Sequence, residues 1–342
     1  MVAEKTAEII DIKEVLDLRK DVTVRNLWER AEEIQSHCTD YMVTRANAQN
    51  FRFNESAGIT FVDSASDLHT LNLTHHSLGQ LSAKVGVPVR YIEKCVQSGR
   101  IDLAQDNVNS WLEDYNKDFF VRAYDDRARG ILSSKYSVCD TPEILGVVDD
   151  AVDLSKYKVK GSYLSEERLH VRLISKEMLP IDGEDLFAGL FLDSSDVGRN
   201  ILTVKFGIYK QVCTNGLVIA KAGGTMFEQK HIGITAEEFH EGLVKSLSNV
   251  DLLTEHAVEW VEEARKKKAF RFSLEDTEEF IARIRQQTNL SEESANKVID
   301  LMKARYDMSM WGLINGITEV AQDFTLERRL ELERIAGNIL TA

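Results

Sequence analysis

The sequence predicts an α+β fold: a central, mostly antiparallel β-sheet with helices packed on it, between helical N-terminal and C-terminal regions. Three observations predict it. Helical periodicity fills both ends of the chain, period-two strands with hairpin signals fill the middle, and no alternating strand–helix pattern of a parallel sheet occurs. The expected divisions are 1–116, mainly helical; 117–234, the sheet domain with one helix; and 235–342, helical.

Residues 6–43 carry helical periodicity, with Ile9, Ile12, Val15 and Leu16, then Leu27, Trp28, Ala31 and Ile34. Residues 50–63 read as a short extended stretch. Thr74 is placed to cap a helix through Val85, which Gly86 and Pro88 end. Short helices are expected over Val89–Ser98 and Asp102–Tyr115. Strands Phe119–Tyr124 and Arg127–Ser133 flank Asp125-Asp126, a tight hairpin. Thr141-Pro142-Glu143 opens a helix, with proline where a missing amide costs nothing. Strands follow at 156–164, 168–175, 186–193 and 201–213, and Asn215-Gly216 signals a turn before a last strand, Leu217–Ala220. Thr235 and Glu238 form a capping box, and helices are expected over 236–268, 274–288, 291–304 and 308–340, the last broken near Gly316.

The net charge of −14 disfavours polyanion binding by the average surface. Residues 119–231, however, hold 15 Lys and Arg against 16 Asp and Glu, so the acidity sits in the flanks. No apolar run reaches the roughly 20 residues of a membrane span, and the N-terminus lacks the basic and apolar pattern of a signal peptide. The four cysteines, Cys38, Cys95, Cys139 and Cys213, are far apart and read as reduced thiols of a cytoplasmic protein.

Alternation assigns the strand residues to faces. Leu169, Val171 and Leu173 alternate with Arg168, His170 and Arg172; Leu202, Val204, Phe206 and Ile208 alternate with Thr203, Lys205 and Tyr209. The hairpin Ser165-Glu166-Glu167 is expected to set Lys160 opposite Arg172. One face then collects Lys156, Lys158, Lys160, Arg168, Arg172 and Lys205 beside Phe187, Phe191 and Tyr209. Cations neutralise phosphates and rings stack on bases, so this face suits a single strand. An ordinary solvated sheet face reads the same way, as does a strand buried on both sides.

Other groups carry less. His75-His76 do not share a helix face, and no ligand-spaced carboxylate or thiol accompanies them. Cys213 reads as a small buried thiol before a nucleophile. Ala222-Gly223-Gly224-Thr225 lacks the Lys-Ser/Thr of a phosphate loop and reads as a flexible loop. Arg265-Lys266-Lys267-Lys268 sit at a helix C-terminus, where cations are favoured.

The stretches Leu78–Tyr91, Asn109–Leu112, Phe120–Tyr136 and Asp193–Val218, with His231-Ile232-Gly233, resemble the phage- and plasmid-borne proteins of domain-of-unknown-function family 932. The likeness covers roughly residues 70–325. Lys210 stands where that family usually has arginine, and the first 65 residues match nothing in it. The resemblance implies an origin among phage or mobile-element genes of DNA replication and recombination. At the level of fold, helices on an antiparallel sheet also look like RecT/Redβ-type single-strand annealing proteins, which assemble into homo-oligomers.

The leading expectation is a non-catalytic protein that binds or anneals single-stranded DNA, cytoplasmic in a bacterial host, without cofactor, metal or membrane contact. Its contacts would be Arg122, Arg127, Arg129, Lys135, Lys156, Lys158, Lys160, Arg168, Arg172 and Lys205, with Tyr136 and Tyr209 stacking on bases. The alternative is a protein–protein module that captures a host defence or replication protein. An enzyme, a nuclease or a thiol transferase through Cys213, is the third reading.

Overall fold

The computed structural model describes residues 16–18, 23–160, 162–210, 215–218, 225–269 and 274–341. Strand β1 (Leu16–Leu18) precedes helix α1 (Val24–Ser36), which Thr23 caps by accepting a bond from the Asn26 amide. Leu27, Ala31 and Ile34 form the buried stripe of α1. Next come β2 (Cys38–Ala46), β3 (Phe51–Phe53), β4 (Ile59–Val62) and β5 (Leu68–Leu73). Helices α2 (His75–Val85), α3 (Val89–Gln97) and α4 (Ile101–Glu113) follow, then the hairpin β6 (Lys117–Tyr124) and β7 (Arg127–Ser133). Thr74 caps α2 as expected, and Gly86 ends it in the left-handed conformation at φ 73°.

These strands form one sheet in the order β2-β6-β7-β5-β4-β3, antiparallel except for the parallel pair β5–β7. Its inward residues Phe51, Phe53, Ile59, Phe61 and Leu73 pack with Leu78, Leu81, Ile92 and Val108 in a core of their own. The N-terminal region is therefore less helical than its periodicity predicts. Residues 38–46 are a strand, and the boundary expected at 117 falls inside a folded unit, because β6 pairs with β2 and β7 with β5.

The second half begins with α5 (Thr141–Val152), where Glu143 accepts the Asp140 amide at 3.2 Å. Strands β8 (Tyr157–Val159), β9 (Ser162–Leu164), β10 (Leu169–Met178), β11 (Leu186–Ser194), β12 (Leu202–Lys210), β13 (Asn215–Val218) and β14 (Thr225–Gln229) follow. They form a second sheet, β1-β9-β10-β11-β12-β13, with β8 also on β10 and β14 also on β12. All of its pairs are antiparallel. Asn215 and Gly216, expected as a turn, lie within β13, where Asn215 pairs with Lys210 and Gly216 with Tyr209. Cys213, Gly223 and Gly224 lie outside the described residues.

The C-terminal helices are α6 (Ala236–Leu247), α7 (Val250–Lys266), α8 (Leu274–Thr288), α9 (Glu292–Ala304), α10 (Met310–Val320) and α11 (Leu326–Leu340). The single helix expected over 236–268 is two, and α10 runs through Gly316 unbroken. A Cβ at Gly316 would stand 2.9 Å from Val298 Cγ1, so glycine here serves the close approach of α9 rather than a break. One face of the second sheet presents Val171, Leu173, Leu190, Leu192, Val204, Phe206 and Ile208, which join Leu243, Val261, Ile299 and Trp311 in a larger core. The other face carries the expected site.

Candidate functional site

The β6–β7 hairpin sends Val121 and Ile131 into the core of the first sheet and Arg122 and Arg129 out of its opposite face. That face does not meet solvent. Arg122 is 0% exposed and uses all five of its N–H groups. Nε and Nη2 donate to the Asp40 carboxylate at 2.8 and 3.0 Å. Nη1 and Nη2 donate to the Asp140 carboxylate at 2.6 and 2.8 Å, and Nη1 also to the Asp196 carbonyl at 2.7 Å. Asp40 is its cross-strand neighbour in β2, Asp140 starts α5, and Asp196 follows β11. Arg129, also 0% exposed, donates to the Glu166 carbonyl at 2.6 Å and lies 3.6 Å from an Asp196 carboxylate oxygen.

These residues join the two sheets. Around them, Ser195 Oγ donates to the Glu167 carbonyl at 2.7 Å and accepts the Arg199 amide at 2.9 Å. The Val197 carbonyl accepts from His76 Nε2 at 3.1 Å and Gln80 Nε2 at 2.8 Å. The Ser194–Gly198 segment, which lies within the family-like stretch Asp193–Val218, is thus the clasp between sheets. Beside it lies a cleft of about 620 Å3, bordered by His75, His76, Tyr163, Glu167 and Arg199. Its charged groups are engaged: His75 with Glu93 at 3.2 Å and Arg199 with Glu167 at 2.7 Å.

Three expected contacts are therefore corrected. Arg122 and Arg129 are locked in the joint. Arg172, 4% exposed, is covered by α11, whose Glu333 accepts from it at 2.9 Å. A buried guanidinium holds its charge only beside such partners, and their geometry leaves no room for a phosphate. The two tyrosines are corrected as well. Tyr209 is 5% exposed in a cluster with Ile174 and Phe187. Tyr136 donates to the Ser195 carbonyl at 2.9 Å and stacks on His231, with centroids 5.2 Å apart. Lys156 belongs to a 3-10 turn, not to the strand face, and Arg127 binds Glu166 at 3.0 Å.

What survives is the register. Lys160 donates its amide to the Arg172 carbonyl, Arg172 pairs with Phe191, and Phe191 with Lys205, so three cations and a ring form one cross-strand row. Lys158 lies 4.8 Å over the Phe187 ring and Arg172 5.6 Å over Phe191, within cation–π range. Lys135 and Lys156 are exposed; Lys158, Lys160, Arg168 and Lys205 are half-buried. Arg168 is tied to Asp193 at 2.8 Å. Sequence reasoning missed Asp193, Glu333 and Arg334, which line or close this face. The period-two spacing that puts Asp193 on the same face as Phe191 was the available signal for the first. No signal pointed from β10 to a helix 160 residues on.

The family match completes these observations. A family model described as domain of unknown function (DUF932) matches residues 128–336, well over half of the chain. The chain belongs to the DUF932 family. Among curated proteins and among solved structures, none matches it significantly. The DUF932 segment takes in Arg129, the Ser194–Gly198 clasp and the whole cation row, while Asp40 and Arg122 precede it. Among the described residues, no helix is long and apolar enough to cross a membrane.

The joint makes stability depend on pH in two directions. Burial, then the neighbouring Asp140, pushes the Asp196 carboxyl up to about 6. The folded chain then holds a proton that the unfolded chain has released between roughly pH 4 and 6. That contribution is present at low pH and is lost as pH rises through 6. For Asp140, burial acts upward but hydrogen bonds from Arg122 outweigh it, so its pKa is lowered and its contribution is lost as pH falls through the folded value. Asp196→Asn is expected to flatten the pH 4–6 section of a melting-temperature curve. An unchanged slope there would contradict a proton on Asp196.

Proposed function

We propose that the chain is a non-catalytic protein that binds single-stranded nucleic acid, acting in the recombination or replication of a phage or mobile element in the bacterial cytoplasm. The observation that carries this is the set of lysines that stay solvent-reachable on and next to that sheet: half-buried Lys158, Lys160 and Lys205, the last two joined by the cross-strand register through buried Arg172 and Phe191, and exposed Lys156. Strand pairing spaces these cations along one sheet face, where they can follow a phosphate backbone; the rings Phe187 and Phe191 are buried beneath them and support the cations rather than stack on bases. The contact set is narrower than the sequence suggested. Exposed Lys135 and Lys156 and half-buried Lys158, Lys160, Arg168 and Lys205 would meet phosphates, and Arg172 would act only through its neighbours. Annealing and homo-oligomer formation extend this reading.

The test is fluorescence anisotropy of a labelled oligothymidylate at two salt concentrations. Binding should weaken with salt, by a slope of about 0.7 per neutralised phosphate in log–log terms. Lys156→Glu with Lys158→Glu should weaken it more than tenfold at only a small cost in melting temperature, the contact of Lys158 on Phe187 being worth about 0.5–1 kcal/mol. Reversing Arg172 would be a poor test, since it buries a carboxylate against Glu333. Unaltered binding by the double variant would sink the proposal. Absence of wild-type binding would move the balance to a protein partner, for which α4 presents Leu103 and Trp111, 46% and 59% exposed, two turns apart on one helix.

A further inference from the structure

Between α11 and the cation-bearing face lies a second cavity, of about 190 Å3, lined by His170, Asp193, Thr203, Lys205, Glu331 and Arg334 among others. Its two carboxylates are already spoken for. Asp193 accepts from Arg168 at 2.8 Å and pairs with His170 Nδ1 at 2.9 Å, and Glu331 pairs with Arg328 at 2.5 Å. Among the described residues, Lys205 and Arg334 have no ion-pair partner. His170 is 4% exposed, and its Nε2 has no hydrogen-bond partner.

We infer that this cavity seats a phosphate group. Ionised Asp193 offers only acceptors, so His170 Nδ1 carries the proton of that bond. Nε2, without a partner, is left to accept from the P–OH of a hydrogen phosphate in the neutral ring, or to donate to a phosphate oxygen in the imidazolium. Lys205 and Arg334 supply charge-assisted bonds in a partly enclosed space, where such bonds are stronger than in water. Leu330 and Arg334 of α11 roof the cavity, so a strand does not run through it. The group that fits is a free phosphate or the terminal phosphate of a strand. The second case rests on the nucleic-acid reading above; the first does not.

Calorimetric titration of the full chain separates these outcomes. The probes are inorganic phosphate and an oligothymidylate with either a 5′-phosphate or a 5′-hydroxyl. Inorganic phosphate should bind saturably, and Lys205→Met and Arg334→Gln should each weaken it about tenfold while leaving the melting temperature in phosphate-free buffer unchanged. A tighter complex with the 5′-phosphorylated strand than with the 5′-hydroxyl strand, with that advantage lost in Arg334→Gln, assigns the seat to strand ends. Equal binding of both strands alongside phosphate binding assigns it to the free ion. No phosphate binding at millimolar concentration, or binding indifferent to both substitutions, overturns the seat. In that case the β8-side variants Lys156→Glu and Lys158→Glu still decide the strand-binding proposal independently.

Discussion

Replacing Arg122 by methionine is expected to cost about 3–5 kcal/mol of stability, the effect of breaking one side of a buried ion pair. The loss is not that of five hydrogen bonds added together. It arises because the Asp140 carboxylate, 5% exposed, and the Asp196 carbonyl lose their shared donor in a place water does not reach. Asp40, 32% exposed, recovers part of its hydration and contributes less. Urea denaturation should show the midpoint falling, and the melting temperature should drop on the order of 10 °C. Adding Asp140→Asn to the methionine variant should return part of the loss, because the stranded charge is then gone. A cost below about 1 kcal/mol would mean that Arg122 is solvated and the joint is not closed as described.

Glu333→Gln should have an effect of similar size, about 3–5 kcal/mol, where α11 covers the second sheet. Glu333 is 0% exposed and serves both Arg172, at 2.9 Å, and Arg329, at 3.0 Å. Glutamine keeps the volume but removes the carboxylate charge that faces the buried guanidinium of Arg172. The expected readout is twofold: a lower melting temperature, and proteolytic cleavage within 326–340 at protease levels that leave the wild type intact. Cleavage would show that α11 leaves the sheet once its anchor charge is lost. Full stability with unchanged protection would mean that Arg172 finds compensation without Glu333.

Strands β10 and β12 were legible because apolar and polar residues alternate over 169–173 and 202–206, and β11 because it is a short continuous apolar run; the structure keeps the face assignment over those residues. The Asp125-Asp126 hairpin, the Thr74 cap and the Thr235–Glu238 capping box were legible for a related reason, since each is a short-range signal complete within a few residues. Strand β2 was not, because only Val43 and Ala46 are buried in it, too few to show period two. The site was misjudged for a physical reason. An arginine on the outward phase of a strand reads the same whether water or a carboxylate lies above it. The carboxylates over Arg122 come from 82 and 18 positions away in sequence, and the one over Arg172 from 161. Alternation assigns a face; it is silent on what covers that face.

The pairing of β7 has a practical corollary. The family model begins at Ala128, inside that strand, whose two neighbours β6 and β5 both lie earlier in the chain. A fragment trimmed to the matched residues would carry one orphaned ribbon with both edges bare, and Arg129 without the scaffold that holds it. The autonomous piece is therefore longer than the recognisable one, and any shortened version meant to keep its shape must start ahead of Cys38.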